Sequence, residues 1–260
     1  MKLILTTSEA YIWKPQLVEN LQKNLPAEIK IDSVFITNFK SGKVKLNIHL
    51  KRYYYLLGFK QFFLHGIDII KFKIMDFLDR YFHFKNSYSI QMACKKLKLN
   101  YFVVKNLNDE RVLDKIRRRS PDLIINFGNQ IFGEKLLSLP KRGCINKHCS
   151  LLPSYKGIYP IWWTLLNNEK ECGVSLHQME KAVDAGKILG QEIIQIEPDD
   201  SFYSIFQKCY NISVDLIIKT VQQIANNNEK EVINSYKPSY FGFPTKKEMK
   251  LFFQSGKKIK

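Results

Sequence analysis

Asn146, His148 and Asp184 are the residues of this chain whose types and spacing best fit chemistry. The first two lie in Gly143-Cys-Ile-Asn-Lys-His-Cys-Ser-Leu-Leu-Pro-Ser-Tyr-Lys-Gly157, and Asp184 follows 36 residues after His148. Residues two apart on an extended strand project to the same side. Pro153 and Gly157 break the strand beyond them, which predicts the pair at a strand end, open to a substrate. An amide and a protonated imidazole can both donate to an oxygen that gains negative charge, each such preorganised donor being worth about 3–4 kcal/mol. A carboxylate can hold and polarise the imidazole, or relay protons through water. Transfer of a small acyl group such as formyl to an amine calls for this set. Any one of the three alone is more simply a satisfied polar residue; the three within this string outweigh that reading.

These residues need a scaffold. Lys2–Thr6 predicts a buried strand, residues 15–24 a helix and Ile31–Thr37 a second strand, and this order argues for a parallel sheet. Asp122-Leu-Ile-Ile-Asn-Phe127 is nearly continuous in apolar residues, as parallel strands covered on both faces are. The loop Gly128–Gly133 follows at its carboxyl end, where open α/β sheets bind ligands. Further strands are expected at 143–148, 173–179 and 187–196, with Asp184-Ala-Gly186 in the turn between the last two. Helices are expected at 90–97, 109–119, 135–139, 160–166 and 201–225, and Thr245-x-x-Glu248 is a capping box for a last one. The fold class is therefore α/β, a mainly parallel sheet flanked by helices. The expected organisation is a domain over 1–205 with a helical insertion within 40–100, and a helix and tail over 206–260 packed on it. No G-x-G-x-x-G phosphate loop occurs.

The chain has 260 residues, 45% hydrophobic and 25% charged, which suits a packed core. Its apolar runs are too short to span a bilayer, and Met1–Thr7 reads as a strand rather than a signal peptide. Five cysteines (94, 144, 149, 172 and 209) lack metal-ligand spacing, so no metal and reduced thiols in a cytoplasmic protein are expected. The net charge is +17, and between Lys40 and Lys98 there are 13 Lys and Arg against Asp68, Asp76 and Asp79. A Lys-rich codon bias scatters charge; it does not concentrate it. In the same stretch, about 50–84, aromatic and aliphatic residues recur at helical spacing with basic residues between them. Such a stripe reads first as core or an oligomer interface, so a homodimer is among the assemblies it allows. It also fits a helix lying on an anionic membrane, hence a peripheral contact with the inner membrane.

Asn146-Lys-His148-Cys-Ser-Leu-Leu-Pro-Ser-Tyr-Lys-Gly157, Gly173-Val-Ser-Leu-His-Gln-Met and Val183-Asp-Ala-Gly186 resemble the folate-dependent formyltransferases. That family includes glycinamide ribonucleotide, methionyl-tRNA and amino-sugar N-formyltransferases. The resemblance is dense over about 121–196. It implies a Rossmann-like domain, 10-formyltetrahydrofolate as donor and co-substrate, and Asn146, His148 and Asp184 as catalytic residues. It also puts Gln130, Ile131 and Phe132 beside the pterin, with the Met179–Asp184 loop, Val183 included, along its polar edge. Lys147 and Cys149 depart from the family pattern; Lys147 should point away from the pair, and Cys149 is expected to be a packed, inert thiol. His177 reads as structural. Tyr11, Trp13 and Lys14, on the loop after the first strand, and Tyr240 in the tail are candidate acceptor contacts, although packing explains the aromatics equally well.

Only 55 residues follow Ile205, and Pro238–Lys260 lacks a strand-rich pattern, so the β-barrel of the tRNA enzymes is not expected and neither is nucleic acid. Tyr240-Phe-Gly-Phe-Pro-Thr245 looks like the segment that follows the catalytic domain in amino-sugar formyltransferases. The acceptor this implies is a nucleotide-linked amino sugar, best guessed as a dTDP-linked 4-amino-4,6-dideoxyhexose for surface polysaccharide or O-antigen. A lipid-linked amino sugar is the alternative, ahead of methionyl-tRNA or glycinamide ribonucleotide.

Overall fold

The computed structural model describes residues 1–9, 13–37 and 46–260. The chain opens with β1 (Lys2–Ser8), α1 (Lys14–Asn24), β2 (Lys30–Thr37) and α2 (Leu46–Phe82). Then come α3 (Ile90–Lys96), β3 (Asn100–Val104), α4 (Glu110–Arg119), β4 (Leu123–Asn126), α5 (Glu134–Leu137) and β5 (Cys144–His148). The remainder is β6 (Lys156–Gly157), α6 (Pro160–Leu166), β7 (Glu171–Gln178), β8 (Ile188–Gln195), α7 (Phe202–Ala225), β9 (Tyr240–Phe241) and α8 (Lys246–Gln254).

Seven strands form one sheet in the order β3-β2-β1-β4-β5-β7-β8. The first five are mutually parallel, while β5–β7 and β7–β8 are antiparallel. Strand order reverses at β1/β4, the kind of switch point at which open α/β sheets leave a crevice outside the strand ends. The alternation of side chains splits the core. Leu3, Leu5, Ile125 and Ile145 face α1, α3, α6 and α7, whereas Ile4, Phe35, Ile124 and Cys144 pack with Val112, Leu113 and Ile116 of α4 and Leu136 of α5. Because both faces are covered, β1 and β4 are buried almost throughout, as their continuous apolar sequences require.

Caps fix the long helices. Ser201 and Ser204 form a reciprocal capping box at α7, and Thr245 and Glu248 another at α8. α2 is interrupted at Gly58, whose φ of 74° and ψ of 163° suit only glycine. The expected division at 205 falls inside α7. Ile205, Ile217, Val221 and Ile224 of that helix, with Phe252 of α8 and Ile259, belong to the same core as the sheet. The tail also pairs directly with the central sequence string, Lys156 opposite Tyr240 and Gly157 opposite Phe241. All five cysteines are free thiols.

Candidate active site

Register brings four polar residues into line across four strands. Thr6 is the partner of Asn126 in β1/β4, Asn126 of Asn146 in β4/β5, and Asn146 of His177 in β5/β7. Residues directly opposite on adjacent strands share a face and touch. Here they hydrogen-bond in sequence: Thr6 Oγ1 donates to Asn126 Oδ1 at 2.9 Å, Asn126 Nδ2 to Asn146 Oδ1 at 2.9 Å, and Asn146 Nδ2 lies 3.2 Å from His177 Nε2. The Gly128 amide also donates to Asn126 Oδ1, at 3.1 Å, which fixes which way the Asn126 amide points. Asn146 is thereby oriented with its oxygen toward Asn126 and its NH2 toward His177. At the far end His177 Nδ1 is 2.8 Å from the Gln178 carbonyl. A carbonyl only accepts, so Nδ1 carries a proton there, and Nε2 faces both Asn146 Nδ2 and Asp184.

His148 lies two residues beyond Asn146 on the same face, opposite Ser175. Its Nε2 is 2.9 Å from the Tyr155 carbonyl, which makes Nε2 the donor there and turns Nδ1 toward Asp184, 3.7 Å from Oδ2. Asp184 Oδ1 is 3.5 Å from His177 Nε2, and Oδ2 accepts from the Gly157 amide at 2.9 Å. Burial alone would raise the Asp184 carboxyl; His177, His148 and the Gly157 amide outweigh it and hold the group down to about 2. An ionised carboxylate therefore faces two imidazoles. His148 is 7% exposed and His177 2%, with Asn146 half-buried, so the pair sits deeper than its strand-end position alone suggests.

The loop that carries Gly157 is held by the tail. Lys156 N–H donates to Ser239 C=O at 3.0 Å, Ile158 N–H to Phe241 C=O at 2.9 Å, and Tyr155 N–H to Ser239 Oγ at 2.8 Å. Phe241 stacks on Tyr155 and Trp163. Gly157 has φ +97°, and a Cβ there would sit 2.2 Å from the Phe241 carbonyl oxygen. The tail is thus connected through one backbone amide to Asp184.

The other expected site residues divide into exposed and committed ones. Ile131 and Val183 are exposed, on the loops beyond β4 and β7. Phe132 is instead buried in the core under α4 and α5, and Met179 packs against that core with its amide donating to Cys144 C=O at 2.8 Å. Gln130 is spent on the neighbouring loop, accepting from Leu107 N–H at 3.0 Å and bonding Asn106. Trp13 is half-buried and packs among Tyr203, Phe206 and Tyr210 of α7. Lys14 donates to the Ser8 hydroxyl at 2.7 Å, and burial first, then the nearby Lys147 ammonium, push it down to about 7 against the pull of Glu9. Tyr240 is exposed on β9, and Tyr11 lies outside the described residues.

Lys147 does point to the opposite face from Asn146 and His148, its Nζ 3.5 Å from the Tyr210 ring centroid and 3.3 Å from Cys149 Sγ. A hydrogen bond with the Cys209 thiol, with burial next, pushes Cys149 well above the usual thiol range, so it stays protonated and unreactive. Asn126, Thr6 and His177 are the residues that sequence reasoning missed. The signal for Asn126 was a single amide in the run Leu-Ile-Ile-Asn-Phe.

A family model described as Formyl transferase matches residues 80–221. Among curated proteins, the chain is 38% identical over 145 residues to the Bifunctional polymyxin resistance protein ArnA of Wigglesworthia glossinidia brevipalpis, covering 55% of this chain and 22% of that protein. It is 33% identical over 156 residues to Methionyl-tRNA formyltransferase of Syntrophus aciditrophicus, covering 57% and 50%. The chain thus spans half or less of the length of these two relatives. Among solved structures it shares the fold of phosphoribosylglycinamide formyltransferase from Anaplasma phagocytophilum (TM-score 0.64, 18% identity, 92% and 98% covered). It shares it too with the N-formyltransferase from Helicobacter canadensis solved with folinic acid and dTDP-3-aminofucose (TM-score 0.55, 18%, 93% and 70%). With the family match covering more than half of its residues, the chain belongs to the formyl transferase family.

Proposed function

We propose that this protein moves the formyl group of 10-formyltetrahydrofolate to the amine of an amino sugar carried on a nucleoside diphosphate. The observation that carries the reading is the oriented set Asn146, His148 and Asp184 at the carboxyl end of the parallel strands. Asn146, with its oxygen tied to Asn126, offers Nδ2 to the formyl oxygen as that oxygen gains charge. His148, held with Nε2 on the Tyr155 carbonyl and Nδ1 toward Asp184, sets positive charge beside the same oxygen when it carries its second proton. Asp184 keeps that proton in place and relays, through water, the proton that leaves the attacking amine. His177, whose Nε2 lies 3.2 Å from Asn146 Nδ2, acts as a positioning residue for that amide. The exposed apolar side chains of Ile131 and Val183 suit the flat pterin ring of the donor.

For the acceptor, the support is the tail docked on Lys156-Gly157 and the fold shared with the Helicobacter enzyme, whose complex holds dTDP-3-aminofucose. A dTDP-linked 4-amino-4,6-dideoxyhexose is the specific acceptor proposed. Sequence similarity to methionyl-tRNA formyltransferase favours a second reading, formylation of methionyl-tRNA. The two separate in one assay of tetrahydrofolate release with 10-formyltetrahydrofolate as donor. The acceptors to compare are dTDP-linked amino sugars, a lipid-linked amino sugar, glycinamide ribonucleotide and methionyl-tRNA. Release with the dTDP-sugars alone is expected. Release with methionyl-tRNA alone would reject the sugar assignment, and release with none would reject formyl transfer to these amines.

A further inference from the structure

The outer face of α2 is unlike the rest of the surface. Beyond Gly58, the side chains Phe63, Ile67, Ile70, Ile74, Phe77 and Tyr81 are all exposed, between 53% and 66% of each. They recur at alternating steps of four and three residues, so they form one continuous stripe along the helix. Monomer surfaces seldom leave a contiguous apolar strip of this length uncovered. The family match begins at residue 80, so nearly all of this helix lies outside it.

Charge distinguishes between possible occupants. At 100° per residue, Lys73 and Arg80 flank the stripe on one side and Lys60 and Lys71 on the other, and all four are exposed. The three acids of the same helix point back to the body of the protein. Asp68 pairs with Lys260 at 2.9 Å, Asp79 with Lys96 at 2.7 Å, and Asp76 accepts from the Ser89 hydroxyl while its other oxygen lies 4.0 Å from the Arg80 guanidinium. The exposed side chains of residues 59–82 are therefore apolar or cationic, with no acid among them. A second copy packed along the stripe would bring cations against cations, an arrangement that like-charge repulsion disfavours. An apolar stripe edged by Lys and Arg is instead complementary to an anionic bilayer surface, where the side chains enter the acyl boundary and the ammonium groups meet lipid phosphates. No described helix is long and apolar enough to cross a membrane, so the contact is one of lying on the surface.

We propose that the outer face of α2 beyond Gly58 docks the protein on an anionic phospholipid surface. This goes beyond the acceptor reading and does not rest on it. Co-sedimentation of the full chain tests it, using vesicles of phosphatidylcholine alone and of phosphatidylcholine with phosphatidylglycerol in equal parts. Binding is expected to the mixed vesicles only, and to weaken as salt is raised. Lys71→Gln/Lys73→Gln should lower the partition coefficient roughly 25-fold, from about 1 kcal/mol per surface cation. Ile70→Glu/Ile74→Glu should abolish pelleting while leaving the melting temperature unchanged, because both side chains are already in water. Equal binding to both vesicles, or to neither, would overturn the proposal. So would a wild-type dimer in light scattering that Ile70→Glu/Ile74→Glu converts to a monomer, since the stripe would then be a self-interface.

Discussion

On one face of β5, Asn146 belongs to a line of hydrogen bonds that crosses four strands; on the other, one residue along, Lys147 rests against the Tyr210 ring and the Cys149 thiol. Both faces are largely buried and both carry polar groups, yet they are satisfied differently. The Asn146 face uses directional partners, each with a defined donor and acceptor, so its amide and imidazole atoms have fixed aims. The Lys147 face uses a ring quadrupole and a soft sulfur, which stabilise an ammonium without specifying where its hydrogens point. A site that must donate to a particular oxygen needs the first kind of environment. A buried cation that must merely be tolerated needs only the second.

Substitutions on the two faces should therefore fall in very different classes. The largest effect is expected at the directional end: His148→Asn or Asp184→Ala should lower kcat by on the order of 10³-fold or more, with an unchanged circular dichroism spectrum. Next is Asn126→Ala, which touches neither imidazole but leaves Asn146 Oδ1 without its donor. Steady-state kinetics should show kcat down by roughly 10- to 100-fold, the equivalent of about 1–3 kcal/mol, with KM less affected.

Gly157→Ala sharpens the comparison through the tail. It forces a Cβ against the Phe241 carbonyl at a φ of +97°, and should cost about 1–3 kcal/mol in a urea titration while also freeing the amide bound to Asp184. The charge on Asp184 is itself a stabilising feature of this face. Its pKa is depressed from 3.8 to about 2 in the folded protein, so the contribution is fully present above pH ~4 and is lost as pH falls through ~2. That contribution is on the order of 2 kcal/mol. The acid arm of a stability–pH curve should accordingly flatten in Asp184→Asn. The smallest effect on turnover is expected from Lys147→Met. It removes the contact with Tyr210 and should change stability by about 1–2 kcal/mol, with kcat within a few-fold of wild type.

Much of the frame was legible in the sequence. Uninterrupted apolar runs marked β1 and β4 because strands covered on both faces allow nothing else, and Ser/Thr caps marked the starts of α7 and α8. The period of two also predicted that Lys147 would turn away from Asn146 and His148. What the sequence withheld depends on pairing between distant segments. His177 read as structural because its place opposite Asn146 follows from the antiparallel β5/β7 register, 31 residues away in the chain. Thr6 and Asn126 joined the site for the same reason. Phe132 and Met179, placed beside the pterin by the resemblance, and Trp13, on the loop after β1, each pack against a hydrophobic surface, a contact that rests on segments distant in the chain. The expected boundary at 205 falls inside α7, whose apolar face continues past it into the core of the sheet.

The central claim is that the Asn146 amide, aimed by the strand-crossing hydrogen bonds, and the His148 imidazole, held between the Tyr155 carbonyl and Asp184, carry formyl transfer. It is tested most directly by single-turnover release of tetrahydrofolate from 10-formyltetrahydrofolate with a saturating dTDP-linked amino sugar, comparing wild type with Asp184→Asn. The account predicts release by wild type and a rate lower by on the order of 10³-fold in the variant, at equal folded fraction. Release at the wild-type rate by the variant would contradict it.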